Sequence, residues 1–116
     1  MRSLLCLLFL AASLLRPAWA APPTPLEFGV AVEAGDSIAV KKWLDAGLSP
    51  DFLADRIGSG LMIAAWTGNL ELLRLFLERG ASIHLTNRYD EQALQRAAWR
   101  GHAEIVRLLL ERGAVV

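Results

Sequence analysis

Apolar and polar positions along this chain follow a pattern that returns after 33 residues. Leu72, Leu73, Phe76 and Leu77 stand three and four residues apart, and Ile105, Val106, Leu109 and Leu110 repeat that spacing one period later. Such spacing lines one face of a helix with apolar side chains. Arg74, Glu78, Arg107 and Glu111 fall on the opposite face, where i to i+4 ion pairs are expected to contribute about 0.2 to 0.5 kcal/mol each. Those charges read as solubility rather than chemistry. A second stretch that repeats with the same period precedes each of these helices, Leu61 to Trp66 and Leu94 to Trp99, and Gly68 or Gly101 separates the two.

The repeat extends over the whole length of both copies. Ala64-Ala65-Trp66 falls on Ala97-Ala98-Trp99, Glu71 on Glu104, and Glu78-Arg79-Gly80-Ala81 on Glu111-Arg112-Gly113-Ala114. A fainter copy lies one period upstream, with Phe28 in the leucine position, Ala31-Val32 for the paired alanines, and Gly35 and Gly47 for the two glycines. A fixed period in the low thirties predicts stacked helical hairpins. Each unit is expected to hold a short first helix, a turn at Gly35, Gly68 or Gly101, a longer second helix, and an end at Gly47, Gly80 or Gly113. A left-handed glycine closes a helix there at no side-chain cost. Asp36, Asn69 and Ser59 are the expected N-caps of the helices that follow them. The paired alanines let neighbouring first helices approach closely.

The run Gly101-His102-Ala103-Glu104-Ile105-Val106-Arg107-Leu108-Leu109-Leu110-Glu111-Arg112-Gly113-Ala114 resembles the helical half of an ankyrin repeat. The resemblance covers most of the chain after residue 27. It implies an all-α fold, an ankyrin-repeat solenoid of three helix-turn-helix units spanning about 26–58, 59–91 and 92–116, the last incomplete. The chain departs from the family where Gly60 and Ala93 replace its usual proline and where Gly29, Met62 and Gln95 replace its usual histidine. Those losses bear on how firmly the loops are held, not on the fold.

Ahead of the repeats, Arg2, the apolar run Leu4 to Leu15 and Pro17-Ala18-Trp19-Ala20 match the three regions of a secretory signal peptide covering residues 1–20. Arg16 and Pro17 cut the run short of the roughly 20 apolar residues a membrane span needs, so no stable membrane anchor is expected after cleavage. The chain's one cysteine, Cys6, would leave with this segment, and a periplasmic or secreted location follows. Residues 21–25, rich in proline, read as a short lead-in. Arg2 and Arg16 are the basic residues before Ala21, so ten basic residues face twelve acidic ones after it, a net charge of −2. Nothing in that balance suggests nucleic-acid binding.

Candidate chemistry is sparse. His84 and His102 have no paired acid placed near either, and no cysteine remains after Cys6, so neither a zinc site nor a nucleophile and base pair assembles. No catalytic residue, metal or cofactor is expected, and the protein is not read as an enzyme. Gly58-Ser59-Gly60 lacks the third glycine of a phosphate loop.

The resemblance instead implies contact positions at the loop tips and just after the paired alanines. Here these are Arg56, Trp66, Thr67, Arg88, Tyr89, Glu91, Trp99 and Arg100. Tryptophan, tyrosine and arginine are enriched at binding hot spots. The expected function is an exported protein-binding module that supports or neutralises a periplasmic enzyme or toxin. A secreted effector acting in a host, a scaffold, and a truncated remnant of a longer array are the alternatives. Lys42 stands where the other units have Leu75 and Leu108 and gives the first unit a wet outer face. The last unit keeps its leucines, so its outer face is expected either to mark a truncated reading frame or to pair with a partner or a second copy.

Overall fold

A computed structural model describes residues 21–54 and 57–115. The signal segment expected at 1–20 and the candidate Arg56 lie outside them. Among the described residues there are six helices: α1 Pro25–Ala34, α2 Ser37–Asp45, α3 Gly60–Thr67, α4 Leu70–Glu78, α5 Ala93–Trp99 and α6 Ala103–Glu111. They form three hairpins. First helices pack on first helices, α1 on α3 and α3 on α5, and second helices on second helices, α2 on α4 and α4 on α6. The all-α solenoid expected from the period is therefore present. None of these helices is long and apolar enough to cross a membrane.

The second helices have nine residues each, while the first helices have ten, eight and seven. The first unit thus reverses the expected order of lengths, because α1 starts one residue inside the proline-rich segment. Thr24 caps it, its hydroxyl accepting from the Glu27 amide, and Pro25 occupies the first turn. Proline tolerates that position, since its missing N–H would be unsatisfied there anyway. Asp36 and Asn69 cap α2 and α4 through the Ala39 and Leu72 amides, at 3.1 and 3.0 Å. Ser59 stands at the N-cap of α3, but its side chain makes no capping bond; the hydroxyl is buried without a partner.

The core runs along the stack from Phe28 to Ala114. Its first part is aromatic: the Phe28 ring lies 6.0 Å from Trp43, 5.2 Å from Phe52 and 6.1 Å from Phe76. Phe28 and Phe76 belong to different units, so this cluster joins units as well as filling one. Burying a side chain of this size contributes about 1.5 to 3 kcal/mol relative to exposure. The pairs expected within helices at Arg74 and Glu78, and at Arg107 and Glu111, are not formed. Among the described residues the ion pairs are Arg79 with Asp45, which spans two units, and Arg96 with Glu91.

Candidate arginine-tryptophan surface

The site expected on the loop tips and first helices is built chiefly by the third unit leaning on the second. Arg96 and Arg100, one turn apart on α5 and its C-cap, both reach back to Trp66 at the end of α3. Their guanidinium carbons lie 4.6 and 4.9 Å from the centre of its rings. Cations stacked on an indole face are attracted by its quadrupole, by about 0.5 to 1 kcal/mol where solvent is present. Two like charges would otherwise repel at this spacing. Glu91 relieves part of that repulsion, with Oε1 3.3 Å from Arg96 Nη1.

Glu91 is itself held by the turn before α5. Asn87 donates from Nδ2 to Glu91 Oε1 at 3.0 Å, and its Oδ1 accepts from the amides of Tyr89 and Glu91. Asp90 takes a left-handed backbone there, at φ 59°, a conformation that aspartate tolerates better than most residues. At the α5 N-terminus the Gln92 amide donates to Gln95 Oε1 at 2.9 Å. The loop is therefore well tied down without the family's usual proline and histidine.

The expected contact residues separate on this frame. Trp66 is half-buried beneath the two arginines, whereas Trp99, one period on, is 64% exposed. Arg88, Tyr89 and Arg100 are exposed. Thr67 is exposed too, though its hydroxyl donates to the Ile63 carbonyl at 3.0 Å. Glu91 is turned inward, with its side chain only 15% exposed and its carboxylate engaged by Asn87 and Arg96. Trp66 and Arg100 are brought together, and among the described residues the arginines stacked on an indole are Arg96 and Arg100, not Arg88.

Two residues of this surface were not among the expected ones. Arg96 stands in register with Val30 and Ile63, and a charge at an otherwise apolar register position was the available signal. Asn87 carries no signal beyond its occurrence in a turn. His102 bonds backbone across units: its Nε2 lies 3.0 Å from the Trp66 carbonyl. Among the described residues no group of three His, Cys, Asp or Glu side chains could hold a metal ion. Beside α1, a mostly apolar groove of about 460 Å³ runs between Leu26, Gly29 and Val30 on one side and Ala54 and Ile57 on the other.

Comparison with known proteins agrees with the period and the stacking. The chain is 40% identical over 65 residues to the rabbit (Oryctolagus cuniculus) protein named ankyrin repeat, SAM and basic leucine zipper domain-containing protein 1. That match takes in 52% of this chain but 14% of the relative, so the chain spans a small part of the protein it resembles. The family model for ankyrin repeats (3 copies) matches residues 28–116. With the six helices of its described residues stacked as three hairpins, the chain belongs to the ankyrin-repeat family and has the build of a protein-protein interaction module.

Proposed function

We propose that this is an exported ankyrin-repeat protein that binds a protein partner through its loop tips and the exposed ends of its first helices, by recognition rather than catalysis. The observation that carries this reading is the cluster of Trp66, Arg96 and Arg100 with Trp99 exposed beside it. Rigid aromatic rings and arginine supply large contact area at low entropic cost, which is why they dominate binding hot spots. Arg88 and Tyr89 extend the surface onto a loop tip that Asn87 holds in one shape.

Export is supported by the charged, apolar and small-residue order of residues 1–20. The partner is then an exported protein, an enzyme or toxin that this module supports or neutralises. Capture from periplasmic extract, with the chain from Ala21 as bait, tests the assignment. Trp66→Ala combined with Trp99→Ala abolishes capture of that partner while leaving helicity intact; undiminished capture by the double variant would falsify the surface.

A further inference from the structure

The junction between the second and third units holds two arginines over one indole, and the two are not equivalent. Arg96 is mostly buried and pairs with Glu91 Oε1 at 3.3 Å. Asn87 holds the same carboxylate oxygen, so Glu91 is committed. Arg100 stands at the C-cap of α5 and is exposed, with its guanidinium carbon 4.9 Å from the centre of the Trp66 ring. The ion pairs among the described residues are those of Arg79 with Asp45 and Arg96 with Glu91, so this second cation is stacked but not neutralised.

Contact with a ring does not use the N–H fork of a guanidinium, which matches a carboxylate with two parallel bonds. Holding the side chain against Trp66 also restricts its rotamers before a ligand arrives, which lowers the ordering cost of binding. In the earlier units the register position of Arg100 is held by Thr67 and Ala34, both short and exposed, so no long side chain of that register stands in the way. Arg100 leans back onto the second unit, and the whole arrangement belongs to a junction within the described residues.

Charge decides among anions. Acidic residues outnumber basic ones after residue 20, and Glu33 stands exposed in the register of Trp66 one unit earlier. A chain of phosphates or a run of acids would meet that excess beyond Arg100, whereas one carboxylate matches one guanidinium. The part of the half-buried indole that the arginines leave open offers apolar area to the residue beside that carboxylate.

We propose that Arg100 and Trp66 form a subsite for one aspartate or glutamate side chain of the protein partner, its carboxylate bidentate on Arg100 and a flanking aliphatic side chain against the Trp66 ring. The inference rests on the partner-binding reading above and gives that partner's contact segment a chemistry, one acid between apolar residues.

The test is an NMR titration of the chain from Ala21, which holds all six helices, with short peptides blocked at both ends: Ser-Leu-Glu-Leu-Ser and the same peptide with Gln or Lys at its centre. Blocked ends confine the test to a side-chain carboxylate. The Trp66 indole N–H, assigned by its loss in Trp66→Phe, is expected to shift saturably with the Glu peptide. The Gln peptide binds about tenfold more weakly, the loss usual for a hydrogen bond to a charged partner, and the Lys peptide leaves the signal in place. Arg100→Gln erases the difference between the Glu and Gln peptides; Arg100→Lys keeps part of it, since an ammonium retains the charge without the fork. Equal response to the Glu and Gln peptides, or no response to either, overturns the proposal, and that comparison needs no variant to fold. Inorganic phosphate that moves the Trp66 signal at lower concentration than the Glu peptide also overturns it and assigns the site to phosphate groups instead.

The subsite and the surface fail separately. Partner capture that is lost with Trp66→Ala and Trp99→Ala but kept in full by Arg100→Gln removes the carboxylate subsite and leaves the surface. A Glu-selective shift at Trp66, with capture unchanged in the double variant, removes the surface and leaves the subsite.

Discussion

Phe76 fills the space left by the absent side chain at Gly60: a β-carbon at Gly60 would lie 2.3 Å from the ring's Cζ and 2.8 Å from both Cε atoms. Phe76 is fully buried and packs edge-on against Phe28, so the ring has nowhere to retreat. One period on, the same two positions hold Ala93 and Leu109. The chain thus carries both solutions, glycine facing phenylalanine in one unit and alanine facing leucine in the next. Gly60→Ala is expected to cost about 1 to 3 kcal/mol by overpacking. Adding Phe76→Leu recovers part of that cost, a coupling that a double-mutant cycle in urea reads directly. Strict additivity would contradict the steric account.

His102 provides a second, polar link between units. A carbonyl only accepts, so its bond to the Trp66 carbonyl requires the proton on Nε2. The ring lies against Gly68, where a β-carbon would stand 2.5 Å from Cε1. His102→Ala removes the donor and is expected to cost about 1 kcal/mol, the usual net contribution of such a bond. Gly68→Ala is expected to cost more, since it adds that clash to a left-handed φ of 81°. Thermal unfolding of the two variants ranks them, and the reverse order would contradict this account.

The period, the hairpins and most caps could be read from residue spacing, because stacking makes equivalent positions meet and so writes itself into the sequence as repetition. Asp36 and Asn69 cap as their residue types suggest. Ser59 does not, since the chain around it buries the hydroxyl instead of turning it onto the helix. The contact surface was less legible. Trp66 and Trp99 look equivalent in sequence, yet one is half-covered and the other open, because cover comes from the following unit. The inward turn of Glu91 depends on Arg96 and Asn87, and repetition carries no trace of it, because no other unit has that trio.

Arg96 occupies an apolar register position at some cost. Its side chain is 13% exposed, its Nε is buried without a partner, and Glu91 neutralises it from one side only. Replacing a mostly buried ion pair with apolar or neutral groups of similar size is often neutral or stabilising. Arg96→Leu with Glu91→Gln is therefore expected to fold at least as stably as the wild type. Glu91→Ala alone is expected to lose about 1 to 3 kcal/mol, since it leaves Arg96 unpaired and frees Asn87. Chemical denaturation compares them; a less stable double variant would show that the pair contributes net stability.

The tie between Arg79 and Asp45 is the more exposed of the two ion pairs among the described residues. It joins α2 of the first unit to the C-cap of α4 in the second, with side chains 33% and 53% exposed. Solvent screens such pairs, and the expected coupling in a cycle through Arg79→Ala and Asp45→Ala is below about 1 kcal/mol. Raising the salt concentration should reduce it further.

Export makes its own prediction, independent of the binding surface. In a signal segment, small residues at Ala18 and Ala20 precede the bond to be cut, because the peptidase accepts only short side chains at those two places. Expressed whole in a bacterium, the chain is expected to reach the periplasm or medium with Ala21 as its first residue. Mass spectrometry of the purified protein reads that end directly. Ala18→Arg with Ala20→Arg should block cleavage and leave a longer, membrane-retained product. A wild-type product that keeps Met1 and stays inside the cell would remove export from the reading, yet leave the tryptophan and arginine cluster as it is.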